Sequence, residues 1–229
     1  MNLGNKQPLK DFGQIQSCQN YLKIETEKKM KQQKKLVFNK YFVASEEYCT
    51  VNRNVNDGHV CFCEKDGGNY IYYFHLLLDS LIGRIMLDPN AATNGLKGQV
   101  TLKRLRDFPV IIPSNEVLDA GISLDITIKT IIDFARNEND ELFIESAKNL
   151  MEELRDYFVM ELYIKDLFIS HNVSIVEPLV DIVSRCKGMH FPEIALHIMR
   201  AITDPEGTIL SNIRRFRVLM SNLDPKSSL

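Results

Sequence analysis

The hydrophobic pattern of the chain changes period partway along. Up to about residue 65 apolar positions come in short runs separated by polar clusters. "LKDFGQIQSCQNYLKI" (residues 9–24) reads as a short strand or turn with polar interruptions. "KLVFNKYFVAS" (35–45), "YCTV" (48–51) and "HVCFCEK" (59–65) are rich in β-branched and aromatic residues, which suit a pleated, half-buried surface and predict strands. "NRNVNDG" (52–58) and "DGGN" (66–69) are turn clusters, with Asp57-Gly58 a hairpin signal. "ETEKKMKQQKK" (25–35) is polar all round, so it is a solvated loop or a helix with little to bury.

At residue 70 the period becomes helical. "YIYYFHLLLDSLIGRIML" (70–87) places Tyr70, Tyr73, Phe74, Leu77, Leu78, Leu81 and Ile82 on one wide stripe. This predicts one helix, capped by Asn69 and mostly buried against a sheet. "DPNAATNGLKG" (88–98) is a loop of turn residues. Thr101 is then an N-cap candidate for a single helical turn. Leu102 and Leu105 point inward from it, and Lys103, Arg104 and Arg106 face outward. "FPVIIP" (108–113) is a short buried strand with Pro109 at its start and Pro113 at its end.

From residue 114 onward the chain reads as helical. A helix over 123–137 is capped by Ser123, and a long one spans 140–172. Helices over 174–189, 191–204 and 206–223 complete a set of four or five. Ser174 is a capping candidate, Gly188 a C-terminal stop, and Pro192 sits in the permitted first turn. The expected class is α+β: an N-terminal mixed strand and helix domain, residues 1–113, followed by an all-helical region, residues 114–229. The tail "DPKSSL" is expected to fray.

Charge sharpens this division. The 229 residues carry a net charge of −2. Residues 1–113 hold 16 Lys and Arg against 11 Asp and Glu, a balance of +5; residues 114–229 hold 12 against 19, a balance of −7. A basic half can face phosphate, which an acidic half repels, so the two halves suit different partners. The alternative is chance drift in surface charge. The five cysteines, an odd number without a secretory leader, point to free thiols and a cytoplasmic location. Cys61 and Cys63 are two small apolar residues on one strand face rather than half of a zinc site. No apolar run nears the roughly 18 residues of a membrane span, so no membrane partner is expected.

The succession strand, turn, aromatic-aliphatic helix "YYFHLLLDSLIGRIM", Gly/Asn loop, and "VTLKRLRDFPVIIP" resembles the end of target-recognition domains. Such domains occur in the specificity subunits of type I restriction enzymes and in TaqI-like C-terminal specificity domains of adenine-N6 methyltransferases. "LKDFGQIQS" (9–17) is similar to their opening segment, with Ser17 where the family has glycine. "LRDYFVMELYI" (154–164) is similar to a helix that follows the recognition domain in some single-chain restriction-modification enzymes. The resemblance implies double-stranded DNA as one partner and an adenine-N6 methyltransferase or restriction subunit as the other.

The residues point to no catalytic machinery. "LDPNA" (87–91) lacks the second proline and the aromatic residue of an adenine pocket, and no glycine-rich nucleotide loop follows a strand. His59, His75, His171, His190 and His197 are scattered, with His75 fitting a core position. The expectation is a noncatalytic protein without cofactor or metal. DNA reading needs only cations to position phosphates and a few polar side chains to reach base edges. Two groups qualify. Lys28, Lys29, Lys31, Lys34 and Lys35 are candidates to lie along a backbone. Lys97, Lys103, Arg104 and Arg106, with Asn94 and Gln99, are candidates to reach a groove. Either group can instead be a solvated face, which would leave a protein-protein adaptor. Tyr70, Tyr72 and Tyr73 fit core packing better than base stacking. Glu152, Glu153 and Glu161 fit a solvated or partner-facing helix surface.

Overall fold

Short strands of the first half find antiparallel partners, and one aromatic helix fills the space they leave. The computed structural model describes residues 6–17, 35–38, 44–45, 60–64, 70–87, 102–137 and 141–223. The described residues are mostly helical, with two small antiparallel sheets, which is compatible with the α+β class. The chain divides into two compact units, residues 1–112 and 113–229.

In the first unit, β1 (Lys6–Pro8) pairs with β6 (Pro109–Ile111), and Pro8 stands opposite Pro109 at the end of the ladder. Neither proline can donate there, and the next bond is made by the Leu9 N–H to the Phe108 carbonyl at 2.9 Å. A 3-10 turn (Leu9–Asp11) leads into β2 (Gly13–Ser17). The second sheet has the order β2, β5 (Val60–Glu64), β3 (Lys35–Phe38), β4 (Ala44–Ser45). Ile15 lies opposite Phe62, and both are buried.

Against these strands packs α1 (Tyr70–Asp79), apolar on nearly every side and buried from Ile71 to Leu78 except at Tyr72. Phe74 is its hub, with Phe62 edge-on at 5.3 Å and Phe12 at 5.4 Å. The buried Tyr73 donates its hydroxyl to the Ile111 carbonyl at 2.7 Å, which satisfies its polar end.

The expected helix over 70–87 is two helices. It breaks at Ser80, and α2 runs from Leu81 to Leu87. The Ser80 hydroxyl donates to the Leu77 carbonyl (2.7 Å) and accepts the Gly83 N–H (3.1 Å), so the side chain replaces the helix's own bond. A Cβ on Gly83 would lie 2.1 Å from the Leu77 carbonyl oxygen, so only glycine fits the close approach. The change of direction exposes Leu81 (46 %), and Tyr70 at the start of α1 is 40 % exposed; both were expected inward. A single helical turn, α3 (Leu102–Arg106), precedes β6.

The second unit holds six described helices, against the four or five expected. α4 (Asn115–Asn137) packs against α5 (Glu141–Tyr163), α7 (Val176–Arg185) and α8 (Phe191–Thr203). Ser123 is not a cap: α4 begins at Asn115, and Ser123 lies buried inside it, its carbonyl accepting the Thr127 hydroxyl. Val117, Leu118 and Ala120 extend the buried face N-terminally, and packing outweighs the low helix propensity of Gly121.

The expected helix over 140–172 also breaks. Ile164 leaves the helical conformation (φ −130°, ψ 46°), and α6 (Lys165–Ser170) follows. No proline or glycine marks this point. The bend brings Phe168 onto Phe216 of α9 (Thr208–Leu223), ring centroids 4.5 Å apart and nearly parallel.

Ser174 does not cap α7. The cap is the carboxylate of Glu161, which accepts the N–H groups of Ile175 (2.7 Å) and Val176 (3.0 Å). Gly188 does end that segment, at φ +86°, and Pro192 occupies the first turn of α8 behind a His190–Glu193 capping box.

Candidate nucleic-acid interface

The α3 turn is where expected contact residues are brought together. Leu105 is buried and Leu102 half-buried, so the turn sits with one side on the core. Lys103, Arg104 and Arg106 are exposed on it. The turn closes through the Asp107 N–H to the Lys103 carbonyl (3.0 Å) and the Phe108 N–H to the Leu105 carbonyl (3.3 Å). The chain then enters β6 with Phe108 and Val110 buried.

Two of the three cations also pin the turn. Arg104 donates Nη1 to the carbonyl of Leu87, the last residue of α2, at 3.1 Å. That oxygen is one of the acceptors a helix end leaves open. Arg106 donates Nη2 to the Ile15 carbonyl on β2, also at 3.1 Å. A guanidinium carries five donors, so one carbonyl contact neither exhausts its hydrogen bonding nor neutralises its charge. The Lys103 side chain has no hydrogen bond or ion pair among the described residues. Beside the turn, Lys10 pairs with Asp107 at 3.3 Å, a contact between exposed groups that periodicity could not reveal.

Of the other expected contact residues, Lys35 begins β3, its Cα opposite that of Cys63. Lys28, Lys29, Lys31, Lys34, Asn94, Lys97 and Gln99 lie outside the described residues, as do the strand 48–51, the turns 52–58 and 66–69, the loop 88–98, and the caps Asn69 and Thr101.

The tyrosines divide. Tyr73 is fully buried, Tyr72 half-buried, and Tyr70 is stacked on Phe74 at 6.3 Å and exposed. His75 is buried, as its place in the apolar helix implied. Among the described residues no three His, Cys, Asp or Glu side chains group as a metal ion requires. No described helix is long and apolar enough to cross a membrane.

Of the three α5 carboxylates expected on a solvated or partner-facing surface, Glu153 and Glu161 turn to partners within the unit, and Glu152 is half-buried. Glu161 is 4 % exposed and takes hydrogen bonds from the Ser174 hydroxyl and the two α7 amides. Burial raises its pKa, these donors work against the rise, and Glu177 adds to it. Glu153 accepts both Arg217 of α9 and the Tyr157 hydroxyl (2.7 Å). Burial would raise its pKa, but these partners hold it below the usual carboxylate range. Cys186 is a buried free thiol. Apart from Tyr157, one turn away, these partners lie 13 to 64 positions along the chain and leave no local signature, so nothing in the sequence marked these groups as internal. Comparisons with models of protein families, with curated proteins and with solved structures give no match.

Proposed function

We propose that the protein is a noncatalytic, sequence-specific DNA-binding module of a restriction-modification system. The first unit reads the duplex, and the helical unit docks an adenine-N6 methyltransferase or a restriction subunit. The observation that supports this is the α3 turn: three exposed cations on five residues, fixed to β2 and to the end of α2. Cations held in place lose little conformational freedom when they meet phosphates, and phosphate contacts set the register from which other side chains read bases. The proposed target-recognition character of this unit rests on the resemblance of residues 9–17 and 70–113. The test is selection from a random duplex pool with the full chain. Enrichment of one defined sequence supports the reading, and a pool left unenriched overturns it.

One observation favours the adaptor reading. The contacts of Arg104 and Arg106 are made to the protein's own main chain, which is sufficient use for both residues without DNA. An adaptor would associate with its protein partner in a salt-insensitive way, unchanged by charge reversal at Lys103.

A further inference from the structure

The helix α8 is apolar on two sides. Ala195, Ile198 and Ile202 are buried and make the inner side. A second row, Pro192, Leu196, Met199 and Thr203, runs along one face at spacings of four, three and four residues. All four are exposed, Leu196 by 46 % and Met199 by 37 %. The Thr203 hydroxyl donates back to the Met199 carbonyl at 2.8 Å, which satisfies the one polar side chain in the row. This spacing is that of the apolar seam between two paired helices.

One edge of the row carries both signs of charge. Glu193 and Arg200 stand seven residues apart, two turns along the same edge, and both are exposed. Glu193 accepts the His190 N–H on Oε2 at 3.0 Å, which orients the side chain and leaves Oε1 for another donor. The Arg200 side chain has no hydrogen bond or ion pair among the described residues. Asp204, one turn further, lies past the end of α8 and accepts the Glu206 N–H. The other edge of the row is formed by Ala195 and Ile202 and bears no charge.

We infer that this face of α8 pairs with the same face of a second copy of the chain, antiparallel about a two-fold axis. In that register Leu196 of each copy meets Met199 of the other, and Pro192 meets Thr203. Glu193 then meets Arg200 twice, once on each side of the axis. An edge on which acid precedes base fits a partner edge of the reverse order, and an inverted copy of the same helix supplies that order. A parallel copy would set Arg200 beside Ala195 and leave both charges unpaired. The inference goes beyond the proposed function: it uses neither DNA nor another protein, so either can fail alone.

The test is sedimentation equilibrium of the full chain between about 1 µM and 300 µM. The seam is short, so a weak dimer is expected, with the mass rising from monomer to dimer across that range. Leu196→Lys is expected to remain monomeric throughout. Glu193→Lys and Arg200→Glu each place two like-charged pairs in the dimer, and each alone is expected to weaken self-association about ten-fold. Mixed in equal amounts, these two variants are expected to associate as tightly as the unmodified chain, because every pair across the axis is again of opposite sign. Thermal melts confirm that each variant folds. Glu193 also belongs to the capping box of α8, so Leu196→Lys and Arg200→Glu, at exposed positions outside that box, decide the question if Glu193→Lys does not fold. A monomer at every concentration, or self-association unmoved by Leu196→Lys or by Arg200→Glu, overturns the inference. So does a mixture of folded charge variants that associates no more tightly than each alone.

Discussion

Arg106 binds the main-chain carbonyl of Ile15, 91 residues earlier, at 3.1 Å. The contact joins the cationic turn to a strand whose side chain at that same residue is in the core. A charged surface residue here has a structural duty as well as a proposed ligand. Replacing Arg106 with alanine should therefore lower stability by about 1 kcal/mol, the net worth of an ordinary hydrogen bond, since the guanidinium is exposed, and should weaken duplex binding too. Lysine should recover binding more than stability, because an ammonium does not present the planar fork. Urea melts beside binding curves check this. An Arg106→Ala variant of unchanged stability would show that the Ile15 contact contributes nothing.

Glu161 is a helix cap delivered from another helix. Glu161→Ala leaves the Ile175 and Val176 amides without their acceptor, and is expected to cost about 1–3 kcal/mol. Glu161→Gln keeps one oxygen and should cost less. Its folded pKa is raised, so the native state binds the proton more tightly than the unfolded chain. That contribution is present below the ordinary glutamate value and is lost as pH rises through the folded value. The decline should be absent from the glutamine variant, as denaturant midpoints across pH would register.

Glu153 has the opposite sign. Its folded pKa is depressed, so its stabilisation is present above the ordinary value and lost as pH falls through the folded one. The stability difference between the unmodified chain and Glu153→Gln should narrow between about pH 5 and pH 3. Because Arg217 is half exposed, removing it should cost no more than about 1 kcal/mol. A difference constant across that range would contradict the assignment.

Gly83 faces the main chain of α1 rather than open space. Gly83→Ala gains helix propensity but drives Cβ against the Leu77 and Leu78 carbonyls, and the clash should prevail by about 1–3 kcal/mol. A thermal melt gives the sign directly: a higher midpoint would mean the two helices can separate freely at Ser80.

The elements that could be read from the sequence are those whose signal is local. Period identified β5, the core positions of α1 and the helices of the second unit, and the burial of Tyr73, Phe74, Leu77 and Leu78 follows from their spacing. β1 was missed because Lys6, Gln7 and Pro8 have no strand pattern of their own; pairing with β6 makes them a strand. The breaks at Ser80 and Ile164 lie within unbroken helical patterns. One depends on a hydroxyl and a missing Cβ, the other on a stacking partner far along the chain. At the candidate interface the exposure of Lys103, Arg104 and Arg106 was legible, since Leu102 and Leu105 set the inward side. The carbonyls that hold the two arginines were not, because main-chain acceptors look alike in any sequence.

Lys103 gives the most direct test of the central claim, since it is exposed and bears no described contact whose loss would disturb the fold. Binding of the full chain to a duplex is measured across a salt series for the unmodified protein, Lys103→Glu, and Lys187→Glu as a control in the acidic unit. The account predicts steep weakening with salt for the unmodified protein and for the control. Lys103→Glu should bind more weakly, with a salt slope shallower by about one. Binding insensitive to salt, or a Lys103→Glu curve that superimposes on the unmodified one, would contradict it.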